Sequence, residues 1–209
     1  MSAPRVVAHA SWRALRHPGW EAATLSEVED GWRLAGRAEI RFPEGPTAIR
    51  YRIDCSRRWE PRAVQLVLRT PAGRRRIEIL RSEAREWTVS GFRNPDLRGC
   101  TDIDFAASPA TNTVTLNRLA LPVGKTTEIR TTYVMFPDIT PIAVRQRYTR
   151  ISERRYFFEG LHNGFSREFE VDERNLVTTY PEGWERTPVP QRRGAGAARR
   201  PRASRRMNP

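Results

Sequence analysis

The sequence predicts an all-β domain, and three observations carry that prediction. Apolar and charged residues alternate with a period of two over most of residues 20–186. Short segments rich in Gly, Pro and Asn interrupt those runs at close intervals. No segment sustains the 3.6-residue apolar stripe of a long amphipathic helix.

The alternation defines the individual strands. In TAIRYRID, Ile49, Tyr51 and Ile53 point one way while Arg50 and Arg52 point the other. Val64, Leu66 and Leu68 repeat the pattern, as do Ile77 and Ile79 between charged neighbours. Ile129, Thr131, Tyr133 and Met135 alternate with Arg130, Thr132, Val134 and Phe136. Phe165, Phe169 and Val171 share a face opposite Ser166, Glu168 and Glu170. Such patterning marks antiparallel strands with one wet face. Turn chemistry at 29–31, 43–46, 71–73, 122–124, 162–164 and 172–175 separates them. Roughly ten or eleven short strands result, spaced as in a sandwich or barrel. The exception is Thr111–Leu119, where Pro109 precedes a short helix with Thr111 or Asn112 as its cap.

The charge is unevenly placed. Of 37 basic residues only Lys125 is a lysine, and against 24 acids they give a net charge of +13. Residues 187–209 hold seven arginines and no acid, which leaves +6 on residues 1–186. That tail is rich in Arg, Pro and Gly, has no aromatic residue and is expected to be disordered, since it cannot offset its ordering entropy by burial. The expected organisation is therefore a β-domain over 1–186 and an appended tail over 187–209. Basic strand faces and a basic tail invite an alternative reading as a binder of nucleic acid or an anionic surface, with Tyr148 and Tyr156 as stacking platforms. The segment carries no RNP1-like core that would specify RNA.

Residues 1–20 contain no apolar run of the kind a secretory leader needs, and no stretch approaches 18 consecutive apolar residues. A cytoplasmic, non-transmembrane protein is expected, with Cys55 and Cys100 as reduced, buried thiols.

Catalytic and cofactor signatures are near misses. Val123-Gly124-Lys125-Thr126 ends like a phosphate-binding loop, but Leu119 stands where its first glycine belongs. Gly194-Ala195-Gly196 follows no strand and meets Arg199 in place of a third glycine. His9, His17 and His162 are scattered, and no cofactor or metal is implied. The one acidic constellation is Asp102-Ile103-Asp104. Carboxylates at i and i+2 of a strand face the same side and could hold a cation or share a proton. Bonding loop amides or pairing Arg118 is the simpler role. Trp20, Trp32, Trp59, Trp87 and Trp184 fall near strand ends, where they pack a core or line an apolar cavity.

An ordered set of residues resembles a known family. Asp54-x4-Trp59-x2-Arg62 and Trp87 precede Gly99-Cys100-Thr101-Asp102-Ile103-Asp104 and Ser108-Pro109-Ala110-Thr111-Asn112-Thr113. Arg118-Leu119, Gly124, Arg147-Tyr148-Thr149 and Val177-x2-Tyr180-Pro181 follow. Together they are similar to the glycolipid-binding family long carried as a bacterial domain of unknown function, over nearly all of residues 8–186. The resemblance implies a single, strongly curved antiparallel sheet forming an open or half barrel around a groove. It also implies kinship with bacterial carriers of lipoproteins and glycolipids. The family pattern T-N-T-L-P-I-R-R-L is here Thr111-Asn112-Thr113-Val114-Thr115-Leu116-Asn117-Arg118-Leu119, which lacks its proline and one arginine.

The function expected on this basis is non-enzymatic binding of a lipid or glycolipid-like amphiphile in the groove. Arg62, Arg118 and Arg147 are candidates for a polar head group, and Asp102 and Asp104 for sugar hydroxyls. Trp59, Trp87, Asn112 and Tyr148 complete the candidate ligand-binding set. An enzyme using Asp102 and Asp104 on a carbohydrate or phosphate ester is a third reading, for which the sequence names no nucleophile or acid partner.

Overall fold

The computed structural model of the chain describes residues 3–106 and 108–188. The strands are β1 (Arg5–Ala14), β2 (Gly19–Val28), β3 (Gly31–Phe42), β4 (Gly45–Ser56), β5 (Pro61–Thr70), β6 (Gly73–Arg81), β7 (Trp87–Val89), β8 (Phe92–Arg93), β9 (Asp102–Phe105), β10 (Thr126–Val134), β11 (Pro141–Arg150), β12 (Arg155–Gly160), β13 (Phe165–Val171), β14 (Val177–Tyr180) and β15 (Trp184–Thr187). Among the described residues one helix, α1 (Asn112–Leu119), interrupts the series. The described strands thus number fifteen rather than ten or eleven, because short edge and return strands such as β7, β8, β14 and β15 are too brief to show alternation.

All fifteen belong to one sheet. Its order runs from β8 back through consecutive neighbours to β1, then from β15 back to β9. First and last strands therefore lie side by side, with Ser11 opposite Thr187 and Ala14 opposite Trp184. The sheet curls strongly but stays open, with β8 and β9 as its edges. Pairing is antiparallel except at β9–β10, which is parallel because α1 supplies the crossover between them. The connection from β8 to β9 passes a 3-10 turn at Pro95–Leu97 and draws the two edges together. There Trp87 of β7 donates its indole N–H to the Cys100 carbonyl at 3.1 Å.

β4 shows the expected logic: Thr47, Ile49, Tyr51, Ile53 and Cys55 are buried while Arg50 and Arg52 are exposed. β9 departs from it, since Asp102, Ile103, Asp104 and Phe105 are all buried. A strand of a parallel pair enclosed on both faces needs no alternation. Ile103 and Phe105 join the larger apolar cluster with Leu34, Ile53, Leu66 and Ile79. α1 divides its burial in the same way. Val114 packs in that cluster, whereas Leu116 joins the smaller one of Tyr148, Tyr156, Phe158, Phe169 and Val171.

Thr111 precedes the helix as foreseen, but neither polar side chain caps it. The Thr111 hydroxyl instead donates to Asp104 at 2.8 Å, and the Asn112 amide donates to the Pro109 carbonyl at 3.3 Å. Cys55 and Cys100 are free and buried, and burial pushes both thiols up. Among the described residues no helix is long and apolar enough to cross a membrane. Of the tail expected to be disordered, residues 189–209 lie outside the described residues.

Candidate functional site

A partly open groove of about 340 Å³ lies between the ends of β3, β9–β12 and the β14–β15 turn. That volume is in the range of small-molecule sites. Its walls are aromatic: Phe42, Phe105, Phe136, Phe158, Tyr180 and Trp184. Phe105 meets Phe136 edge-on at 6.0 Å, and Phe158 tilts against Tyr148 at 5.2 Å and Phe165 at 6.1 Å. Such arrangements fix ring positions by quadrupole geometry as well as by area. The rim carries Arg16, His17, His162 and Arg167, with His162 tilted over Tyr133 at 5.4 Å.

The floor is polar. Asp104 lies within it, its Oδ1 accepting from Thr111 and its Oδ2 from the Gln146 amide at 2.7 Å. Gln146 Oε1 accepts from Thr131 at 3.1 Å, and the Tyr148 hydroxyl donates to Asn112 Oδ1 at 3.3 Å. Burial raises the Asp104 carboxyl above its ordinary value, against the lowering effect of those two donors. Burial, with help from the charge of Asp104, pushes the Tyr133 hydroxyl up to about 12, so it stays a neutral donor. A carboxylate, two amides and a phenol beside aromatic rings can grip hydroxyl-bearing rings while the aromatic walls cover apolar parts.

Beside the floor sits a second buried polar group. Glu21 of β2 accepts from the Tyr51 hydroxyl and from Ser108, a groove-lining residue, at 2.7 Å. Its Oε2 is buried with no partner. Burial raises its carboxyl from 4.5 to about 7, the two hydrogen bonds opposing that shift. Gly36 makes the contact possible, because a Cβ there would stand 2.3 Å from Tyr51 Cζ.

A family model described as "Putative glycolipid-binding" matches residues 9–186. The chain belongs to this family. It is also similar to a solved structure, the crystal structure of a DUF1089 family protein from Pseudomonas aeruginosa. The two superpose with a TM-score of 0.74 at 31% identity, over 81% of this chain and 92% of that one. No curated protein matches.

Of the residues that mark the glycolipid-binding family in this sequence, the structure brings only some to the groove. Asp104, Ser108, Pro109, Asn112, Tyr180 and Pro181 line it, and Tyr148 supports it from behind, fully buried. Asp102 faces the same side as Asp104, but both its oxygens are held by Arg118, at 2.7 and 2.6 Å. That buried ion pair locks α1 to β9. Asn117, standing where the family pattern has a second arginine, donates to the Thr113 carbonyl at 2.8 Å and accepts from Asn175 at 3.0 Å. It ties the helix to the turn before β14.

The expected head-group trio does not converge. Arg118 is spent on Asp102, Arg147 pairs with Glu128 and with Glu159 on the outer face, and Arg62 is exposed on β5 away from the groove. Trp59 adopts a left-handed φ of 64° in the β4–β5 turn and stacks on Trp32 at 4.6 Å. Trp87 is a core residue tied to Cys100. Trp184 is the one tryptophan lining the groove. Tyr148 and Tyr156, proposed from sequence as nucleic-acid platforms, are 0% and 2% exposed and present no ring to solvent. The sequence did not single out Gln146, Tyr133 and Glu21, and it gave Ser108 only as part of the family pattern. The available signal was a polar residue at an inward position of an alternating strand, as at Gln146 between Val144 and Tyr148.

Proposed function

We propose that the protein is a non-enzymatic binder of an amphiphile with a hydroxylated head, such as a glycolipid, in the groove at the open end of the sheet. The observation that carries this reading is the pairing of aromatic walls with the carboxylate–amide floor of Asp104, Asn112 and Gln146. The family description points the same way. The aromatic walls would hold an alkyl chain by area burial, at about 25 cal/mol per Å², and the floor would take sugar hydroxyls. The polar floor atoms hydrogen-bond one another, which suits them to hold a ligand in register rather than to attack it.

The test is a calorimetric titration with a short-chain alkyl glucoside below its micelle concentration, beside an alkyl chain bearing no sugar. Saturable binding that favours the glucoside is expected. Phe165→Asp, at the half-exposed rim, should weaken both ligands, whereas Tyr133→Phe should reduce only the preference for the sugar. No saturable binding of either ligand would overturn the reading.

A further inference from the structure

The outer face of β2–β6 carries a second groove, of about 330 Å³. We propose that it binds a phosphate-type anion, held between Arg37, Arg50, Arg69 and Arg74. The register explains the concentration of charge. Arg37 stands directly opposite Arg50 across β3–β4, and Arg69 opposite Arg74 across β5–β6. Arg50 is diagonal to Arg69, because Arg69 pairs with Ala48 two residues away. The small side chain of Ala48 leaves a depression, and the long arginine side chains rise around it.

These four arginines have no ion-pair partner among the described residues, in contrast to Arg33 and Arg52, which share Asp54 on the same face. Glu39 also lines the groove and offsets one charge, leaving three in excess. Like charges directly opposite across a ladder repel. An oxyanion set between them converts that repulsion into charge-assisted hydrogen bonds, for which the guanidinium fork is well shaped. Trp20, with the Arg37 guanidinium 5.2 Å from its ring centroid, closes one end and holds that arginine in place. The groove has room for a phosphate or pyrophosphate group, and the same oxyanion is presented by a phospholipid head group.

The experiment is calorimetry of the full chain with pyrophosphate at low salt. Saturable binding is expected, and R37Q/R50Q or R69Q/R74Q should each weaken it by about tenfold or more. R155Q, on the outer face of the other half, should leave it unchanged. Flotation with phosphatidylcholine vesicles, with and without phosphatidylglycerol, distinguishes the two sources. Loss of phosphatidylglycerol-dependent flotation in the same variants assigns the anion to a lipid head group. Retained flotation with lost pyrophosphate binding assigns it to a free phosphate compound. Unchanged pyrophosphate affinity in both folded variants, or binding confined to a nucleic-acid duplex, overturns the proposal. Because the alkyl glucoside test uses an uncharged ligand on the opposite face, either result can fail alone.

Discussion

The two halves of the sheet bury and expose opposite things. From β1 to β6 the inner face is packed solid by residues such as Leu34, Ile53, Val64, Leu66, Leu68 and Ile79, all at most 1% exposed. From β10 to β14 the inner face is aromatic and polar, with Gln146, Thr131 and Tyr148 at 0% exposure around Asp104. Outside, the pattern reverses. On the later strands Arg145 and Arg147 are matched to Glu128 and Arg155 to Glu168, while Arg130 donates to the Asp96 carbonyl. The arginines at the β3–β6 groove are not matched. A matched face is an ordinary solvated surface, while an interior of satisfied polar groups beside open space is built to receive something. The same contrast on the outside makes the earlier strands the place where an anion would gain most.

The largest test of this contrast lies in the polar interior. Asp102 has no exposure and depends on Arg118 for compensation. Arg118→Ala should cost about 3–5 kcal/mol, because it leaves a buried charge unpaired. Chemical denaturation measures the loss, and a cost below 1 kcal/mol would show that the pair is solvated in practice. The next test concerns Glu21, the carboxylate enclosed on the packed side. With its carboxyl raised from 4.5 to about 7, the folded protein keeps a proton that the unfolded chain releases. Stability from this group is fully present below pH 4.5, falls as the pH rises, and levels off above about 7. The slope is about 1.4 kcal/mol per pH unit, or about 3 kcal/mol across the window. Glu21→Gln should match the wild type at pH 4 and exceed it at pH 8. Parallel pH–stability curves for the two proteins would rule the effect out.

Much of the scaffold was legible because alternation and turn chemistry are local. The strands, the helix and the inward side of β4 follow from patterns within a dozen residues, whereas the curved open sheet followed from the family resemblance. The candidate site was only half legible. Asp104 and Asn112 belong to a contiguous motif, but Gln146, Tyr133 and Glu21 reach the same region from strands far apart in sequence. The arginines could not be sorted from the sequence for the same reason. Whether an arginine faces a ligand or a glutamate depends on which strand lies beside it, and Arg147 lies between Glu128 and Glu159. The fully buried β9 was hidden by topology, since enclosure on both faces erases the period of two.

Smaller effects separate the two outer faces. Arg155→Gln removes an exposed pair 3.6 Å long and should cost less than about 1 kcal/mol. A larger loss would mean that the matched face contributes to stability and is not merely solvated.

The smallest effect should carry the opposite sign. R37Q/R50Q removes two like charges directly opposite each other, so the folded protein should be no less stable and slightly more so at low salt. Screening sharpens the test. At about 0.1 M salt the Debye length is near 10 Å, so repulsion between neighbouring arginines is damped but not abolished. Wild-type stability should therefore rise as salt is added, and rise less in the variant. Replacing Arg33, whose charge is already shared with Asp54, should not reproduce that flattening. A variant less stable than wild type at low salt would mean that favourable contacts, beginning with that of Arg37 on Trp20, outweigh the repulsion, and the contrast between the two faces would then fail.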